Sequence, residues 1–197
     1  MKKMTDRQME IIKKAVEIID EDGLENLTIK RLAQEMKFSE AALYRHFKCK
    51  MSLLNFILDI FYNDVKVLHK KLDDSNLSPF NKVITFIKEH INLISSNKIY
   101  STVVFSEELF RRKAYLTTII DDIIDKNKDF ISGNIKECQK TGEIRKDISS
   151  EHFAIIILGS IRLLIKKWYY SRYSFDLNIE SGKIIKSFEK LLISKKK

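Results

Sequence analysis

Residues 26–54 gather six cationic side chains, Lys30, Arg31, Lys37, Arg45, Lys48 and Lys50, against only Glu35 and Glu40, a local charge of +4. Such a set is suited to recognising a polyanion rather than to making bonds. Arg45 has the planar fork that grips guanine O6 and N7, a pairing that discriminates by about 1–3 kcal/mol. Glu40 suits the amino group of cytosine, although an acid in a first helical turn is also simply favourable. Lys30 is a neighbour, and the methyls of Ala41 and Ala42 either meet thymine methyls or permit close approach. Thr28 offers a hydroxyl and a helix N-terminal amide to a phosphate. No catalytic arrangement competes. The four histidines at 46, 69, 90 and 152 lack metal-ligand spacing, and there is no glycine-rich phosphate loop. Cys49 and His46 fall across a helix break with no third group to orient them. We therefore expect no enzyme activity, no metal and no cofactor.

Helices must position these groups. Apolar residues recur at Ile29, Leu32, Ala33 and Met36, then at Phe38, Leu43 and Phe47, which is helical spacing on both sides of a break at Lys37 to Ser39. Thr28 and Ser39 stand where N-cap oxygens would satisfy free amides. Two short helices at a steep angle make a helix-turn-helix. A first helix is predicted over Asp6 to Asp22, capped by Thr5 and ended by Gly23. A fourth, from about Lys50 to Leu72, leaves this head for the rest of the protein. Pro79 opens a fifth. Others are predicted from near Ile99, from about Tyr115 to Lys140, from Glu151 to about Tyr170, and from about Ile179 to Ser194. A single Pro, five Gly and no strand alternation give an all-α chain of nine helices. The start, MKKMTDRQMEIIKK, lacks the continuous apolar core of a signal peptide. The apolar run from Phe153 to Ile165 is too short to span a bilayer, and two distant cysteines make no disulfide framework. A cytoplasmic protein with no membrane partner is expected.

The residues Leu27-Thr28-Ile29 leading to Leu32-Ala33, then Leu43-Tyr44, His46-Phe47, Lys50 and Leu53-Leu54, resemble the DNA-binding head of the TetR/AcrR family of bacterial transcriptional regulators. The resemblance implies a three-helix head over residues 1–49 and a larger helical effector-binding and dimerisation domain over 50–197. It implies phosphate contacts from Tyr44 and His46 and from Lys50 at the start of the fourth helix. Two positions depart from the pattern. Lys37 stands where the family usually has a positive-φ Gly, at a strain of order 1 kcal/mol, and would set a cation beside the phosphates. Cys49 occupies a cap position for which it is poorly suited.

Double-stranded DNA, a second copy of the chain and a small effector are the partners this implies. The eighth helix is apolar most of the way round and must be covered on more than one side. Ile157, Gly159, Ile161 and Leu164, with Ile184, Phe188 and Leu191 of the ninth, resemble the family's four-helix dimer interface. Phe86, His90, Tyr100, Phe105, Phe110 and Trp168 are the candidates to line an effector cavity, with Glu107, Glu108 and Arg162 as further polar anchors. An unpaired Arg162 in so apolar a helix would be costly, so a carboxylate partner is expected. The effector itself is expected to be apolar or amphipathic, releasing a homodimeric repressor from a near-palindromic operator. The alternative is a DNA-binding protein with no effector, controlled by a protein partner or by oxidation of Cys49.

Overall fold

The computed structural model describes residues 4–105 and 114–193. Nine α-helices lie within them: α1 Asp6–Asp22, α2 Ile29–Met36, α3 Glu40–Tyr44, α4 Lys50–Asp73, α5 Pro79–Ser96, α6 Lys98–Phe105, α7 Ala114–Thr141, α8 Ser150–Tyr170 and α9 Leu177–Leu192. A single 3-10 turn, Leu24–Asn26, joins α1 to α2. The only extended pairing among the described residues is an isolated antiparallel bridge between Ile144 and Ile193.

The helix starts follow local chemistry. Thr5 and Gln8 form a reciprocal cap on α1, the Gln8 amide donating to Thr5 Oγ1 at 3.2 Å and the Thr5 amide to Gln8 Oε1 at 3.0 Å. Thr28 Oγ1 accepts from the Arg31 amide at 3.0 Å, and Ser39 Oγ accepts from the Ala42 amide at 3.2 Å. Pro79 occupies the first turn of α5 behind Ser78. At the start of α4 the Cys49 amide donates to Ser52 Oγ at 3.1 Å, the half of a capping box that does not depend on the side chain at 49.

Lys37 ends α2 in the left-handed region, at φ 55° and ψ 40°. The Phe38 amide reaches back to Ala33 O at 2.9 Å, closing the helix end. The left-handed backbone that the resemblance implies is therefore present, with a lysine bearing its strain. Lys37→Gly is expected to raise stability by about 0.5–1 kcal/mol in urea unfolding, the relief of strain being offset in part by greater freedom of the unfolded chain. An unchanged or lower midpoint would mean that the lysine compensates through its stem.

Packing joins head and body into one apolar cluster. Ile11, Ala15 and Ile18 of α1 belong to it together with Leu32, Leu43 and Phe47, and it continues through Leu53, Leu54 and Ile57 of α4. Phe47 lies edge-on to Phe56 with centroids 5.5 Å apart. The expected boundary at 49/50 coincides with the cap of α4, and the apolar cluster runs across it. In the body, α7 packs most extensively on α8, and α5 lies between α7 and α9.

Candidate DNA interface and effector cavity

Part of the polar set of the head lines one groove. Thr28, Lys30, Glu40, Tyr44, Lys48, Cys49 and Lys50 border a groove of about 390 Å³ between the start of α2 and the end of α3. Tyr44 is 48% exposed although it ends a helix whose Leu43 is fully buried. Ala41, Arg45, His46 and Lys37 are exposed, outside the lining of that groove, and Ala42 is half-buried. α3 is short: Arg45 and His46 belong to the turn that follows it rather than to the helix.

Two cations behave differently from the rest. Arg31 pairs with Asp22 at the end of α1. Lys50 is half-buried and its ammonium donates to Leu24 O, and burial lowers its pKa against the opposing pull of Glu25. That bond uses one of the three ammonium donors, and the side chain borders the groove with the other two. Lys48 was missed as a phosphate candidate, yet it is exposed on the groove; its place one residue beyond the buried Phe47 was the available signal.

In the body, a cavity of about 260 Å³ lies among α4, α5, α6, α7 and α8. Its walls are almost wholly apolar, with Phe61, Ile94, Phe105, Ile123, Leu158 and Ile165 prominent. Of the six aromatic and imidazole residues expected there, His90 and Phe105 are on the wall. Phe86, Tyr100 and Trp168 are not, which corrects that expectation. Phe86 is fully buried behind His90, with ring centroids 5.4 Å apart. Tyr100 turns away to donate to Asp64 Oδ2 at 2.8 Å, and burial raises its pKa further than that bond does. Trp168 donates to Phe175 O at 3.0 Å and packs on Tyr173. Phe110, Glu107 and Glu108 lie outside the described residues.

Two polar side chains on the cavity wall were not both anticipated. His90 is 7% exposed and its Nδ1 has no hydrogen-bond partner; burial, aided by neighbouring His69, pushes the imidazole down to about 4. Asn127, 4% exposed, lies against His69, whose imidazole is pulled down by burial and held up in part by its hydrogen bond with Asn127. Asn127 interrupts the stripe of Ile120, Ile123, Ile124 and Ile131 on α7, and that break in an apolar repeat was legible. At the exposed side of the cavity the Arg162 guanidinium lies 5.1 Å from the centroid of the Phe105 ring. No carboxylate among the described residues pairs with it, so the ring takes the place of the expected partner. Lys128, also on the wall, pairs with Asp125 at 2.7 Å.

The dimer expectation needs correcting in detail. Ile157, Ile161 and Phe188 are buried within this one chain, at 1, 2 and 4% exposure, because α8 packs on α7 and α9 packs on α5 and α8. The apolar surface left on α8 is instead Ile155, Ile156, Leu163 and Tyr170, Leu163 being 69% exposed. Gly159 and Leu191 are exposed as expected, and Leu164 and Ile184 are half-buried beside them. Cys49 is exposed and Cys138 buried, and both are free thiols. Among the described residues no cluster of His, Cys, Asp and Glu is placed to hold a metal, and no helix is long and apolar enough to cross a membrane.

Comparison with known proteins covers both halves. Residues 11–56 match the family described as bacterial regulatory proteins, tetR family, and residues 61–194 match the one described as YsiA-like protein, C-terminal region. The chain is 21% identical over 188 residues to the fatty acid metabolism regulator protein of Bacillus subtilis, covering 94% of this chain and 95% of that one. The solved structure of the Bacillus subtilis transcriptional regulator FadR in complex with stearoyl-CoA is similar with a TM-score of 0.72 at 20% identity, over 93% of this chain and 98% of that one. The ketosteroid transcriptional regulator KstR2 of Mycobacterium tuberculosis is similar with a TM-score of 0.82 at 15% identity, over 98% of both chains.

Proposed function

The chain belongs to the tetR family of bacterial regulatory proteins and is a DNA-binding transcriptional regulator, and on that premise we propose that it is a homodimeric repressor released from a near-palindromic operator by a small amphipathic effector. The observation that carries the effector half of this reading is the cavity. It is apolar and touches α4, the helix that runs back into the head. Its volume of about 260 Å³ is just under the ~300 Å³ at which ligand pockets usually begin, which favours a small ligand or the apolar end of a larger one. Arg162 at the exposed side suits an acidic head group. The stearoyl-CoA bound by the Bacillus subtilis FadR is an amphiphile of this general kind.

Release follows from geometry. Phe61 of α4 and Ser101, Val104 and Phe105 of α6 all line the cavity. α6 also meets the head, because Lys98 lies near Asp20 of α1 in a polar groove and sits 4.6 Å from the centroid of the Tyr173 ring. A ligand that moves α4 and α6 changes the spacing of the two heads in a dimer. A tenfold loss of operator occupancy needs only about 1.4 kcal/mol of preferential binding to the released state.

On the DNA side, Thr28, Tyr44, His46 and Lys48 are assigned to phosphates, with Lys37 beside them and Lys50 through the donors that Leu24 O does not use. Arg45, Glu40, Ala41, Ala42 and Lys30 are assigned to base edges. Titration of a labelled operator duplex against salt separates the two classes. Lys48→Ala is expected to weaken binding equally on all sequences and to lower the salt slope by about one per protomer. Arg45→Ala is expected to cost about 1–3 kcal/mol and to relax preference at one base pair in each half-site. Wild-type affinity with an unchanged slope in both variants would refute the assignment.

A further inference from the structure

The cavity has a shape as well as a polarity. α8 lines it from Ile155 to Ile165 and α7 from Ile120 to Lys128. At the helical rise it is thus at most about 15 Å long. Spread over that length, its volume of about 260 Å³ gives a section of about 17 Å², the width of one alkyl chain and too narrow for fused rings. Its sides differ. Ile124, Ile155, Gly159 and Arg162 on the wall are exposed, whereas Phe61, His90, Ile94 and Ile165 are buried. Packed rings back the buried side. Phe61 lies 4.8 Å from Tyr100, centroid to centroid, and Tyr100 is held on Asp64. His90 lies 5.4 Å from Phe86, which in turn meets His69 and Phe130 at 5.2 and 5.3 Å.

We propose that the cavity is a length gauge for one unbranched acyl chain of about eight to twelve carbons, its acidic head at Arg162 and its tail stopped by Phe61 and His90. The proposal rests on the cavity being the effector site and specifies what enters it. Two measures set the length. A methylene takes about the volume of a water molecule in the liquid, roughly 30 Å³, so the cavity holds about nine. An extended chain advances about 1.2 Å per atom, so 15 Å admits about twelve. Arg162 has only the Phe105 ring against it and no carboxylate among the described residues, which leaves its charge for the head. Burial pushes His90 down to about 4, so a methyl end meets a neutral ring rather than a cation. Each carbon that leaves water for the cavity tightens binding by about fourfold. Carbons beyond the packed rings add nothing or must fold back. That break in the gain is the source of the discrimination.

The test is calorimetry on the full chain with hexanoic, octanoic, decanoic, dodecanoic, tetradecanoic and octadecanoic acids, each as free acid and as coenzyme A thioester. Wild-type affinity is expected to rise by about fourfold per carbon and to stop rising by dodecanoic acid. The break is expected at the same length in both series, because the inner wall and not the head sets it. Phe61→Leu makes room at that wall and is expected to move the break to a longer chain. Val104→Phe fills part of the cavity from α6, is expected to move the break to a shorter chain, and should melt no lower than wild type. This second variant carries the test if the first does not fold. Wild-type affinity that keeps rising to octadecanoic acid overturns the proposal and leaves the effector site standing. A break unmoved in every folded variant, or set at different lengths in the two series, also overturns it. Failure of every compound to bind the wild type overturns the reading of the cavity as a site for amphiphiles.

Discussion

Leu163→Glu is expected to turn the protein into a folded monomer that binds its operator at least a hundredfold more weakly. Leu163 is 69% exposed in the single chain, so its own protomer gains little from it. It shares that face of α8 with Ile156 and Tyr170, which are also exposed, and Leu191 of α9 is exposed nearby. A helix with buried apolar residues on one side and exposed ones on the other needs a second partner. In a two-fold interface each substitution appears twice, and two facing carboxylates deprived of water cost several kcal/mol. Operator binding then loses the gain from linking two heads, which is commonly 10²- to 10⁴-fold. Sedimentation gives the mass and anisotropy gives the affinity. A variant that sediments as wild type and binds as tightly would show that α8 pairs elsewhere or not at all. The melting transition should fall only by what the dimer contributed.

The largest effect on folding is expected at Phe47→Ala. Phe47 is 4% exposed, lies edge-on to Phe56 at 5.5 Å, and its amide donates to Leu43 O at 2.9 Å. It fills the joint where α3 ends and α4 begins, so truncation leaves a cavity in the apolar cluster that Leu43, Leu53 and Leu54 share with it. Loss of a buried phenyl costs about 3–5 kcal/mol, against a total stability of roughly 5–15 kcal/mol. The head should loosen first, because α3 is a five-residue helix held mainly by Leu43 and Phe47. DNA binding is therefore expected to disappear under conditions where ligand binding in the cavity of the body persists. Urea unfolding followed by far-UV dichroism and by Trp168 fluorescence should give separated transitions in the variant. A cost below about 1 kcal/mol would mean that the joint repacks around the missing ring.

The head was more legible than the body, and the reason is local chemistry. Thr5, Thr28, Ser39, Ser78 and Ser149 each accept from an amide at the start of a helix, and a capping hydroxyl before an apolar repeat is visible in sequence. Lys37 was legible through the resemblance, since its left-handed backbone belongs to the turn rather than to the side chain. The inward turn of Lys50 toward Leu24 O was not, because it depends on a carbonyl 26 residues away.

In the body, α8 misled because a helix apolar nearly all round carries no phase. Ile156 and Ile157 are neighbours of one type, yet one is 46% exposed and the other 1%. Only the positions of α7 and α9 decide between them. Cavity lining failed for a related reason. A cavity exists where side chains from several helices do not meet, and no single helix records that. Phe86 and Trp168 were reasonable aromatic candidates, but their neighbours fill the space around them. Asn127 was the signal available and passed over, a lone amide in an isoleucine stripe.

The most direct measurement is selection of bound duplexes from random DNA, with the stoichiometry of the selected complex determined by sedimentation. The account predicts enriched sites made of two half-sites related by two-fold symmetry, each site holding two protomers or a multiple of two. Enrichment of a single asymmetric site held by one protomer, or no enrichment over random sequence, would contradict it.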